Sequence, residues 1–230
     1  MTLLEIFKYS LSKMLRRELN EEGKYSRLQF AIKYCSMPVS YWECVCFLDE
    51  ARFCSFDDNG LVSLHKGSER VNILNSVPVC ASLGFSVPNV ITKIKGRIDT
   101  EQYISFLNTC VYPSAVEKFS KESPILLIHD HYPVHTATAV RKWLQNRSNI
   151  AVLTDWPRNF GDLMPLENTW KIIVEKVNES PVTISSTSVL WDEVFKIWSN
   201  VVDKEYVDSI TKSVLHKLKE VVKCHGGWTD

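Results

Sequence analysis

The stretch ILLIHDHYPVH, residues 125–135, runs four apolar residues into an aspartate set between two histidines, and a third histidine follows four positions later. An acid at the end of an apolar strand is half of a metal site. The other half must come from elsewhere in the chain. Two further carboxylates have suitable contexts: Asp49 ends the apolar run CVCFL, and Glu167 opens a helical pattern just past Pro165. On neighbouring central strands, Asp49 and Asp130 would sit side by side, with Glu167 brought in by a helix crossing the sheet. Like charges held together raise one another's pKa, so such a cluster is expected where a divalent cation neutralises it. Oxygen donors favour Mg²⁺ or Mn²⁺ over zinc. Two such ions about 4 Å apart clamp the attacking and leaving oxygens of a phosphodiester during in-line displacement. This chemistry needs no serine or cysteine nucleophile.

The neighbouring side chains carry a second set of readings. His129 is expected on the sheet face opposite Asp130, because strand neighbours alternate. His131 either approaches the metals or bonds to backbone. His135, at a helix start, either fixes the loop or contacts the substrate. Asp162 either caps the turn before the helix of Glu167 or assists the metal site. Glu50 is expected to point away from the metals, and Trp170 to pack its helix. His129, His131 and His135 taken together give an alternative, a zinc hydrolase that would retain stoichiometric zinc.

The elements that must place these groups are legible from periodicity. Residues 3–34 read as helical, the pattern restarting after Gly23. ECVCFLDEARFCSF reads as a strand, DDNG at 57–60 as a turn, and VPVCASLGFSV and NVITKIKG as two more strands. DTEQYISFLNTCVYPSAVEKF is a helix with an aspartate cap. SPILLIHD and NIAVLTDWP are buried strands separated by the helix HTATAVRKWLQNR. Pro165 suits the first turn of LENTWKIIVEKV, and two amphipathic helices follow at about 187–201 and 203–223. Antiparallel strands first, then strand alternating with helix, then helices, imply an α/β fold with a mixed sheet flanked by helices.

Composition narrows the field further. With 27 basic and 27 acidic residues the formal charge is zero, which argues against nucleic-acid binding by bulk charge alone. The basic groups Lys93, Lys95, Arg97, Arg141, Lys142 and Arg147 are read as a solvated face or as phosphate contacts. Seven scattered cysteines, with one Cys-x-Cys pair at 44 and 46, read as thiols of a reducing compartment. No apolar run approaches the roughly 20 residues that cross a bilayer, so no membrane is expected.

Four blocks, FLDEARFCSF, IHDHYPVHTATAVRKWL, LTDWPRNFGDLMPLENTW and HGGWT, resemble in order those of the mariner-type (Tc/mariner superfamily) transposase catalytic domain. The stretch VPVCASLGFSVPNVITKIKGRIDTEQYISFL resembles the family's segment between its first and second acids. The likeness covers roughly residues 27–230. It implies an RNase H-like fold with a mixed five-stranded sheet and C-terminal helices. It also implies a helical linker remnant over 1–40 and an endonuclease domain over 41–230. The resemblance places the DDE triad on Asp49, Asp130 and Glu167, holding two Mg²⁺ (or Mn²⁺) ions, with His131, His135 and Asp162 as candidate supporting residues. It further implies DNA as partner, a homodimer, a nuclear location, and DNA cleavage followed by strand transfer. Departures accompany it. His131 stands where the family has Asn, Gly161 and Met164 stand where Pro and Asn are usual, and LHKGSE replaces an Arg-rich stretch. The family's tandem helix-turn-helix has no counterpart before Asp49. These departures support an alternative: a host-adopted, inactive DNA- or protein-binding module.

Overall fold

The structure, a computed structural model, describes residues 18–56, 61–64 and 73–229. Residues 3–17 of the helical stretch expected over 3–34, and the turn at 57–60, lie outside the described residues. So does most of LHKGSE.

A long strand organises the fold. Strand β1 (Val45–Phe56) pairs antiparallel with β3 (Ile73–Leu83) along most of its length, and β3 pairs antiparallel with β4 (Val90–Lys93). On its other edge β1 runs parallel to β5 (Ile125–Ile128), which runs parallel to β6 (Ile150–Val152). The order is thus β4-β3-β1-β5-β6. A sixth strand adds to the five expected. The short β2 (Val62–Leu64) pairs antiparallel with β1 at Phe53–Ser55, beside the part of β1 that β5 does not reach.

Alternation along the strands divides the interior into two layers. Phe47, Ala51 and Phe53 of β1, with Ile128 of β5, face one core. That core is covered by α6 (Pro165–Glu179), α7 (Thr187–Val201) and α8 (Lys204–Lys223). Cys46 and Leu48, with Ile125 and Leu127, face the other. The second core is covered by α3 (Thr100–Phe106), α4 (Tyr112–Lys118) and α5 (Thr138–Gln145).

Two local departures from the expected pattern have evident causes. Helix α1 (Glu21–Tyr34) begins before Gly23, because the Asn20 side chain accepts the Gly23 amide and caps the first turn. The helix expected to run unbroken from Asp99 widens into a π turn over Leu107–Val111. Pro113 lies just beyond; it has no amide to donate one turn back and its ring crowds the carbonyl there. The segment Val39–Glu43 (α2) joins α1 to β1 and buries Trp42.

Helix α8 ends in a Schellman turn, and that turn matters below. His225 takes a left-handed φ of 51°; its amide donates to Val222 O, and the Gly226 amide donates to Val221 O. Gly226, at φ 87°, lies so close to the Lys24 carbonyl that a Cβ would sit 2.0 Å from the oxygen. Gly226→Ala should therefore cost about 2 kcal/mol or more. Calorimetry should show the midpoint falling by roughly 4–8 °C; an unchanged midpoint would show that α1 and the turn separate freely.

Candidate active site

The last ladder pair between β1 and β5 is Phe47 with Ile128. Asp49 and Asp130 each lie two residues further on, so the register carries both to the same end of two adjacent parallel strands. Neighbouring strands stand about 4.8 Å apart. Asp49 shares parity with Phe47, which faces the α6 core. Trp170 of α6 confirms the side: its Nε1 donates to Asp49 Oδ2 at 2.8 Å. Glu167 precedes Trp170 by three residues, one turn earlier on the same helix face. The order Met164-Pro165 explains why α6 starts here: Pro occupies the first helical position, where a missing amide costs nothing. Glu167 is 7% exposed in the first turn, where the helix dipole favours a carboxylate.

Asp130 is held from the other side. Because β5 stops at Ile128, Asp130 lies in the following loop, and its Oδ1 accepts the Tyr132 amide at 2.9 Å. His135 Nδ1 approaches the same oxygen at 2.7 Å, while its Nε2 lies 3.1 Å from Glu50 Oε1. His135 is 2% exposed and packs against the rings of Tyr103 and His129. Burial opposes a charge on His135. The hydrogen bonds and charges of Asp130 and Glu50 outweigh it, pushing its pKa up to about 10. The ring is then doubly protonated, and each N–H donates to a carboxylate. Burial also raises the pKa of Asp130, but His135 and the Tyr132 amide bring it below the ordinary value. His129 goes the other way: burial first, then the nearby charge of His135, lowers it to about 3. Its Nδ1 lies 2.6 Å from the Tyr103 hydroxyl, within hydrogen-bond distance.

The expected residues therefore separate. His129 lies on the face opposite the α6 core, stacked in the second layer. His131 turns to the Trp156 carbonyl, 2.9 Å away, so the three histidines do not converge. Asp162 is committed elsewhere: Arg27 binds both its oxygens, at 2.8 and 2.6 Å, and Thr229 donates to Oδ2 from its amide and hydroxyl. Arg147 is stacked on Trp143 and Tyr112 and bonds the Trp143 carbonyl, so it is a structural residue. The seven cysteines are free thiols. Two contacts lie beyond the sequence reading. Trp170 packs its helix, as expected, wholly buried against Phe53 and Trp198, and its indole also donates to Asp49. Glu50 does face away from Asp49, as expected, yet reaches Asp130 through His135.

As donors, the three acids fit a hard divalent cation by kind. They supply oxygen only, the donor such an ion prefers. As they stand, no group of three His, Cys, Asp or Glu side chains among the described residues closes tightly enough to hold a metal ion.

The comparisons agree with this architecture. The DDE superfamily endonuclease family matches residues 45–188. The Tc1 transposable element transposase of Caenorhabditis elegans is 24% identical over 212 residues, covering 87% of this chain and 72% of that protein. The Tc3 transposase of the same organism is 22% identical over 215 residues, covering 90% of this chain and 63% of that one. Among solved structures, the catalytic domain of Mos1 mariner transposase superposes with a TM-score of 0.69 at 17% identity, covering 93% of this chain and 98% of that one. The Mos1 paired-end complex with the left transposon end gives 0.70 at 17% identity, over 98% of this chain and 71% of that one. The Mos1 catalytic domain with Raltegravir and Mn gives 0.71 at 16% identity, over 94% of this chain and all of that one. The fold is thus RNase H-like, with a mixed sheet of six strands among the described residues and helices on both faces.

Proposed function

Because this chain belongs to the DDE superfamily endonucleases, we propose that it cleaves DNA phosphodiesters with Mg²⁺ or Mn²⁺ held by Asp49, Asp130 and Glu167, and transfers the resulting 3′-hydroxyl to a second DNA site. The observation that carries the reading is the register: Asp49 and Asp130 fall two residues past the Phe47–Ile128 pair, with Glu167 one helical turn from the indole that touches Asp49. A bound pair of ions supplies Lewis-acid activation of the attacking and leaving oxygens. The protein's own part is positional. Trp170 orients Asp49, the Tyr132 amide and His135 hold Asp130, and the first turn of α6 presents Glu167. DNA as partner, assembly as a homodimer and a nuclear site of action belong to the same proposal; the relatives named as transposases support it.

The test is nicking of supercoiled plasmid by the purified chain with Mg²⁺, with Mn²⁺ and with EDTA. Relaxed circles that form only with metal support the proposal. Their absence at every metal concentration counts against it. Trp170→Phe keeps a ring in the core but deletes the donor to Asp49. It should weaken Mn²⁺ binding about tenfold, measured by calorimetry; an unchanged affinity would remove Trp170 from the site.

A second reading, an inactive DNA- or protein-binding module, is favoured by one observation. The carboxylate of Asp130 is already engaged by His135, which Glu50 steadies from the other face. It predicts a partner bound without cutting, unaffected by EDTA.

A further inference from the structure

Arg27 is wholly buried, and its hydrogen bonds join three distant segments. Nε donates to Gly226 O at 3.0 Å. Nη1 donates to Asn159 O at 2.6 Å and to Asp162 Oδ1 at 2.8 Å. Nη2 donates to Asp162 Oδ2 at 2.6 Å and to Gly227 O at 2.8 Å. The Trp228 ring lies 4.7 Å from the guanidinium carbon. Asp162 is fixed at its other atoms as well: Thr229 donates twice to Oδ2, and Lys217 Nζ reaches its main-chain carbonyl at 2.6 Å. The loop so held leads directly into α6. Phe160 O accepts the amides of Leu163 and Met164, and Met164 O accepts the amide of Glu167 at 3.2 Å. Leu163 and Met164 are each 1% exposed, leaving little slack between Asp162 and the helix start.

We infer that Arg27 is a positioning residue for Glu167, acting through the 159–164 loop, with the 226–229 turn as the scaffold that aims the guanidinium. This rests on Glu167 being a metal-holding acid. A buried ion pair is often no more stabilising than an apolar replacement. What the planar fork adds is two fixed bonds to one carboxylate, hence an orientation. A lysine keeps the charge and loses the orientation.

The experiment compares Arg27→Lys with Val111→Ala, a truncation in the second core, which contains neither the loop nor α6. Three quantities are read: thermal midpoint, Mn²⁺ dissociation constant, and hydrogen exchange of the Glu167 amide. Both variants should melt earlier. Only Arg27→Lys should raise the Mn²⁺ dissociation constant about tenfold and speed exchange at Glu167. Should Arg27→Lys fail to fold, Asp162→Asn, which keeps the shape and removes the charge, is read the same way. Equal Mn²⁺ affinity and equal exchange in the arginine and control variants would overturn the inference and leave Arg27 as structural glue. If the wild-type chain binds no Mn²⁺, the metal reading of Glu167 falls instead. Exchange at Glu167 would still decide whether Arg27 sets the first turn of α6.

Discussion

Asp130→Asn should reduce metal-dependent nicking by about a thousandfold while leaving the chain folded. The substitution keeps the shape and the oxygen that accepts the Tyr132 amide, so the loop start survives. It removes the charge that a divalent cation needs. Removing one preorganised electrostatic contact to a reacting centre costs on the order of 10²–10³ in rate, and a shared metal ligand belongs at the upper end. A plasmid assay in Mn²⁺ with matched protein concentrations measures it, and circular dichroism checks the fold. Asparagine that cuts as fast as aspartate would mean that Asp130 holds no ion, and the nuclease reading would have to be abandoned.

The second large effect concerns stability. Arg27→Ala strands the Asp162 carboxylate in a buried site with only the Thr229 donors and leaves the carbonyls of Asn159, Gly226 and Gly227 without their partner. Breaking a buried pair in this way costs about 3–5 kcal/mol, which urea titration at neutral pH should show as a lower midpoint with an unchanged slope. The double variant Arg27→Ala with Asp162→Ala should lose less than the two single losses combined, because the second change removes the charge the first one stranded. Additive losses would mean that the two side chains do not act as a pair.

The parts of this protein that local pattern encodes were readable in advance. CVCFLD and ILLIHD each announce a buried strand with an acid just past its apolar run, although β1 continues through Asp49 to Phe56, and Met164-Pro165 announces the start of α6. With the parallel register of β1 and β5, they set Asp49 and Asp130 each two residues past the Phe47–Ile128 pair. What the sequence did not reveal are pairings across long stretches of chain. Trp170 reaches Asp49 over 121 residues, His135 reaches Glu50 over 85, and Arg27 reaches Asp162 over 135. No periodicity encodes such a meeting, because each partner obeys only the rules of its own element. Asp162 shows the consequence: its place before α6 suggested a role at the metals, while its charge serves an arginine in a helix read as mere linker. Strand β2 was missed for a related reason. Three residues are too few to show alternation, and only the uncovered edge of β1 gives them a partner.

The HGGWT block also changes where damage should be tolerated. Loop tips are ordinarily forgiving, open to insertion and nicking. Here Gly226 and Gly227 supply acceptors to Arg27, 199 and 200 positions away, and Thr229 supplies donors to Asp162, 67 positions away. A premature stop codon just after His225 would thus act like a lesion at the centre of the molecule, and variants collected across this region should be as sparse as those in the sheet.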